Sequence, residues 1–330
     1  MPSGTPAPDG ATSSPFVFTY FFYWYDAYSG AHLHEADGLR QHFPPDPAPS
    51  YRSVAWFQRQ FEDMASAGID VVLPDYWGYG QDQRWSTEGL SYLALAKQEM
   101  LDARQPAPQV GMFFDTTIIG GRDLTTPAGK DFFYSNFKDF FSRIPRDQWA
   151  LVDGRPVAFL FTSDRVAAFN QSTFDYVYAA FQRDFGVRPY IVREASWDYP
   201  ILRWQAGAPV RDLAQPIQTD NSYLWGAALN GYVDRGGVAE IGPGYDDTLV
   251  PGRHGVVRQR DGGWWYQRNF EKALASGKTM LAIETWDEIH EGSAICETDE
   301  FGRQYLDLTR AFTDQFHHRA APSVLRGVPP

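Results

Sequence analysis

VAWFQRQFEDMASAGIDVVLPD, residues 54–75, holds the fold in miniature. Within residues 54–68, Val54, Phe57, Phe61, Met64 and Ala65 recur at steps of three and four, the period of a helix with one buried face. Gly68 then supplies a helix stop, because glycine enters the left-handed region without a Cβ clash. IDVVLP, residues 69–74, is a short apolar run with no polar alternation, as expected of a strand covered on both faces. Asp75 follows it at once.

The same unit recurs outward along the chain. Strands are predicted at residues 16–25, 69–74, 109–115, 156–161, 189–193 and 279–285, with weaker runs at 222–225 and 238–243. Helices are predicted over 54–68, 90–103, 132–144, 172–185 and 266–275. Strands separated by helices must run parallel, since a parallel pair needs a long crossover. A repeat of this kind predicts an α/β fold, a (β/α)8 TIM barrel spanning residues 16–319 as one domain. An open doubly wound sheet would need a glycine-rich phosphate turn, and Gly78 and Gly80 lack the third glycine in register. Residues 1–15 and 320–330, rich in proline and small residues, are expected to be flexible tails. The first has neither the basic start nor the apolar core of a signal peptide, so a soluble chain is expected, with export left open.

Composition narrows the function. The chain has 330 residues and a net charge of −12, which disfavours binding to a phosphate backbone. No stretch approaches the roughly eighteen apolar residues of a membrane span. The single cysteine, Cys296, excludes an internal disulfide. Aromatic residues make up 16% of the chain, enough either to fill a core or to line a site that stacks flat sugar rings.

A barrel places its chemistry at the C-terminal ends of its strands. There the sequence puts Tyr25 and Asp26, then Asp75 and Trp77, then Asp115, then Glu194 and Trp197, then Tyr223 and Trp225, then Tyr245 and Asp246. The densest cluster is ETWDEIHE, residues 284–291. If a helical turn begins after the last strand, Glu288 and Glu291 share one face and point into the mouth. Neighbouring carboxylates shift each other's proton affinity, so one can serve as acid and the other as base. The alternative is an exposed acidic loop.

IGPGYDDT (residues 241–248), then Arg258 and Arg260, then Trp265 and Tyr266, then ETWDEIHEGS (residues 284–293), resemble glycoside hydrolase family 99. This is the endo-α-mannosidase family, a (β/α)8 barrel whose corresponding motifs read GPGY-x-DT and NEWHEGT. Trp24 and Tyr25, and the run from Ala67 through Tyr76 to Gly78, fit it too. The resemblance implies a retaining glycosidase. Glu288 would deprotonate the sugar's own 2-hydroxyl to give a 1,2-anhydro intermediate, and Glu291 would act as general acid and then base. That departs from the usual nucleophilic carboxylate.

The resemblance also places Tyr25, His34, Trp77, Tyr245, Asp287 and His290 at the substrate. Each has an alternative: Tyr25 as a core aromatic, Tyr245 packing on Pro243, Trp77 capping the barrel, His290 as a structural histidine. His34 aligns loosely, with His32 beside it. Asp287 and Ile289 stand where the family has asparagine and tryptophan, changes expected to touch specificity. No cofactor or metal is implied. The expected partner is an oligosaccharide or polysaccharide, with no nucleic acid or membrane partner, and the chain is expected to be a monomer. Two other readings stay open: a carbohydrate-binding barrel without catalysis, or a glycosidase for another sugar. A metal-dependent hydrolase using His32, His34, Asp26 and Asp75 is a third, weaker one.

Overall fold

A computed structural model describes residues 15–198, 203–205, 208–210 and 217–320. Apart from Pro15 and Ala320, the two expected tails lie outside these residues. Eight parallel strands, β1 (Phe16–Phe21), β2 (Val71–Tyr76), β3 (Met112–Phe114), β4 (Arg155–Leu160), β5 (Tyr190–Glu194), β6 (Asn221–Tyr223), β7 (Val238–Ile241) and β8 (Met280–Ile283), form the main path of a sheet to which the two-residue strands Gln109–Val110 and Leu151–Val152 also pair. Their order is β6-β5-β4-β3-β2-β1-β8-β7. The sheet comes round on itself where Gly237 N–H donates to Ser222 O at 3.0 Å, bridging β7 to β6. The fold is a nearly closed (β/α)8 barrel.

Around it lie helices α1 (Val54–Ser66), α2 (Arg84–Asp102), α3 (Pro127–Arg143), α4 (Gln171–Phe185), α5 (Ala227–Asn230), α6 (Trp264–Ala275) and α7 (Gln304–Ala320). No helix among the described residues is long and apolar enough to cross a membrane.

Alternation along β1 sorts its aromatics. Phe18 and Tyr20 point inward, their rings 5.2 Å from Phe159 and 4.6 Å from Phe113. Phe21 points outward onto Trp56 (5.4 Å) and Phe57 (5.8 Å) of α1. Successive strand residues face opposite sides, so one aromatic run fills both the barrel and the helical layer. Much of the aromatic content is therefore packing.

The boundaries depart from expectation for local reasons. β1 ends at Phe21, and residues 22–25 run on without ladder pairing into the mouth. The expected strand 109–115 breaks at Gly111, where an added Cβ would come within 2.7 Å of Val157 Cγ1. α3 starts earlier than expected, at Pro127, because Thr126 caps it by accepting the Gly129 N–H at 3.1 Å. α2 likewise begins early, at Arg84. α7 was not expected at all; it docks on the end of α1 through the Thr313 hydroxyl, which donates to Ala67 O at 2.8 Å. After β7 a small antiparallel pair, Tyr245–Asp246 with Val257–Arg258, stands over the mouth.

Candidate active site

The tract after β8 forms no helix. Residues 284–295 make a turned loop, so the expected helical face is replaced by a loop with two sides. Trp286 and Ile289 are fully buried and anchor one side. Trp286 N–H donates to Tyr20 O (2.8 Å), and its indole N–H donates to Gln60 Oε1 (2.7 Å). Ile289 O accepts from the backbone N–H groups of Arg40 (3.0 Å) and Gln41 (3.1 Å). With these two residues held down, Glu288 and Glu291 face the other way, into a cavity of about 420 Å³.

Glu284 and Asp115 line the same cavity, with walls of Phe22, Trp24, Trp77, Phe161, Trp225 and Tyr245. Carboxylates among aromatic faces suit a polyhydroxylated ring, whose C–H faces stack while its hydroxyls hydrogen-bond.

Burial, together with the nearby Glu288, pushes the Glu291 pKa up to about 7, against the Arg253 guanidinium that donates to Glu291 Oε1 at 2.8 Å. Burial also raises Glu284 to about 7. Its carboxylate is cradled by the N–H groups of Gly226 (2.8 Å) and Ala228 (3.1 Å), which pull the other way. Asp75, behind Trp77, is raised by burial and by Asp115; burial raises Asp115 too. Burial disfavours charge on His290, but the Glu288 carboxylate 3.1 Å from its Nδ1 outweighs this, and its pKa is raised.

One family model spans residues 23–325, described as a domain of unknown function, DUF5010. The chain belongs to this family. Curated proteins give no match to the DUF5010 chain. Among solved structures it is similar to the GH99 endo-α-mannosidase of Bacteroides thetaiotaomicron in complex with bis-tris propane, with a TM-score of 0.66 and 16% identity over 93% of this chain and 99% of that one. A second structure of that endo-α-mannosidase gives 0.65 and 16%, over 94% and 99%. A glycoside hydrolase-like protein gives 0.66 and 14%, over 94% and 97%. The resemblance to family 99 is thus matched by a shared barrel fold, while the family itself is DUF5010.

Of the expected substrate-binding residues in this DUF5010 barrel, Trp77 and Tyr245 line the cavity. Trp77 is held by its indole N–H, which donates to Asp75 Oδ2 at 2.6 Å. The Tyr245 hydroxyl donates to Asp247 Oδ2 at 3.2 Å.

Four others lie off the cavity wall. Tyr25 is fully buried, its hydroxyl given to Asp287 O at 2.7 Å. Asp287 is fully buried too: its Oδ1 accepts the Phe22 N–H at 2.7 Å, tying the end of β1 to the loop. His290 sits behind Glu288 and stacks on Tyr25 with centroids 5.9 Å apart. His34 is exposed, its ring folded over Gly30. Its neighbour His32 comes nearer, stacked on Trp24 at 5.1 Å and edge-on to His290 at 6.1 Å. Asp287 and Ile289, which differ from the family 99 motif, are both buried and help to seat the loop, and neither lines the cavity.

Among the described residues, no group of three or more His, Cys, Asp or Glu is placed to hold a metal. Asp26, from the metal reading, is engaged by the hydroxyls of Ser29 (2.6 Å) and Ser50 (2.7 Å). The sequence set Asp115 among the strand ends and Glu284 at the head of the acidic cluster without giving either a role, and it did not mark Arg253 at all. The two acids share a legible signal, a carboxylate directly after a strand. Arg253 has none, because only the loop's course brings it to Glu291.

Proposed function

We propose that this barrel is a retaining glycoside hydrolase acting on an α-mannoside-like glycan. The observation that carries the reading is one cavity faced by both Glu288 and Glu291, with Glu291 still able to hold a proton near neutrality. A general acid works best when its pKa lies near the working pH. In the first step Glu288 takes the proton of the sugar 2-hydroxyl, and that oxygen attacks the anomeric carbon. The glycosidic bond breaks as Glu291 gives its proton to the departing oxygen, leaving a 1,2-anhydro sugar. In the second step Glu291 takes a proton from water, whose oxygen attacks the anomeric carbon. The bond to the 2-oxygen opens, and that oxygen recovers its proton from Glu288. Two inversions give net retention. Neither carboxylate bonds to the sugar, so both can come from one loop.

Hydrolysis of a glycan panel, with the anomer of the first product read by NMR, tests this. Wild type should release the retained anomer, and Glu288→Gln and Glu291→Gln should each lose about 10²–10⁴-fold in rate. Cleavage by both variants at the wild-type rate would refute the assignment.

A second reading, a sugar-binding barrel without turnover, is favoured by the ion pair between Arg253 and Glu291 Oε1, which occupies an oxygen of the acid. Calorimetric binding of a glycan that the chain never cleaves would support it.

A further inference from the structure

The hairpin over the mouth carries a loop, residues 247–256, that is tied at its base and bare at its tip. At the base Asp247 is buried. Its N–H donates to Val256 O (3.2 Å), and its carboxylate accepts the Val256 N–H (2.6 Å) and the Tyr245 hydroxyl (3.2 Å). The adjoining Asp246 N–H donates to Glu291 O at 2.8 Å. The tip, residues 251–255, is exposed throughout. Among the described residues its single hydrogen bond beyond the loop runs from Arg253 Nη2 to Glu291 Oε1, at 2.8 Å.

Two glycines flank that arginine. Gly252 and Gly255 hold φ of +77° and +72°, and a Cβ on Gly252 would meet nothing within 4 Å. Glycine moves between the left- and right-handed regions at little steric cost, so the tip can swing about these two positions while the base stays fixed. The Arg253 side chain is 54% exposed, and an ion pair so open to water is weak and easily broken.

The partner decides when the pair exists. Glu291 attracts a guanidinium only while it is ionised, because a neutral carboxyl carries no charge. The other groups that face it are acidic: Glu288 and Glu284 from its own loop, Tyr245 and Asp247 from the hairpin. Arg253 is the one cation that lines the cavity among the described residues, so it is the group that answers an ionised Glu291.

We propose that the tip is a latch worked by the charge of Glu291: it rests on the cavity while Glu291 is ionised and swings clear when Glu291 is protonated. As a device of the catalytic cycle it rests on the reading of Glu291 as general acid. In that reaction the tip stands open while a glycan enters against protonated Glu291. It closes once Glu291 has passed its proton to the departing oxygen, and it opens again when Glu291 takes a proton from water.

The experiment is electron paramagnetic resonance of the full chain with a nitroxide on the tip. Cys296 is buried, so His254→Cys gives a single accessible thiol, and it also removes the tip's histidine as a titrating group. The expected spectrum is immobilised at about pH 8.5 and mobile at about pH 5.5, with a midpoint near pH 7. Glu291→Gln and Arg253→Gln, each placed in the labelled chain, should be mobile across the whole range. Arg253 is exposed, so its replacement does not endanger the fold. A spectrum that does not change with pH, or a pH response that survives in either variant, would overturn the latch. None of these readings needs turnover. A chain that cleaves no glycan yet shows the titrating spectrum would refute the hydrolase reading and keep the latch; cleavage with an unresponsive tip would do the reverse.

Discussion

The Tyr25 hydroxyl donates to the backbone carbonyl of Asp287 at 2.7 Å and accepts the Ile289 N–H at 3.4 Å. One phenol from the segment that follows the first strand thus seats both sides of Glu288. Tyr25→Phe leaves that carbonyl and that N–H buried without a partner. A loss of about 1–3 kcal/mol in stability is expected by chemical denaturation. Steady-state kinetics should show kcat falling more than KM, because the loop and not the cavity wall is disturbed.

The proton on Glu291 sets the second prediction. In the proposed role of general acid it must be protonated, so kcat/KM should fall as pH rises past about 7. Arg253 lowers that pKa, so Arg253→Ala should move the alkaline limb of the pH–rate profile upward. A limb that stays in place would remove Arg253 from this role.

Stability should follow the same groups. Glu284 and Glu291 have folded pKa values near 7, above their ordinary 4.5. Between those values the native chain holds more protons than the unfolded chain. Their stabilising contribution is therefore complete below about 4.5 and lost as pH rises through about 7. Asp287 carries the same sign, since burial raises it well above the usual carboxylate range. Asp287→Asn keeps an acceptor for the Phe22 N–H and cannot ionise. Its melting temperature relative to wild type should therefore climb between pH 5 and pH 8. A constant difference across that range would show that Asp287 does not titrate there.

Gly242 packs where backbone meets backbone. A Cβ there would lie 2.5 Å from Ala228 Cα and 2.5 Å from Glu284 O. Gly242→Ala must push apart α5 and the start of the loop 284–295, so a loss of about 1–3 kcal/mol is expected in denaturant melts. The N–H groups that hold Glu284 move with α5, and activity should fall too.

The barrel and the end of it that matters were legible along the chain. Helical and strand periods, glycine stops and carboxylates directly after strands are all local signals. A residue and its close neighbours settle them, and Val54 through Asp75 already show each kind. The motif ETWDEIHEGS marked the loop but not its faces. Trp286 and Ile289 are three apart, as are Glu288 and Glu291, so spacing alone cannot say which pair is buried. The closed barrel decided that, by offering Gln60 to the Trp286 indole and a cavity to the two glutamates. It also turned Tyr25 and Asp287 from expected sugar contacts into supports of the loop. The Glu284 cradle spans 58 residues of chain, and the Gln41–Arg260 contact spans 219. Such pairings leave no periodic trace, because they depend on where a closed sheet brings distant loops together.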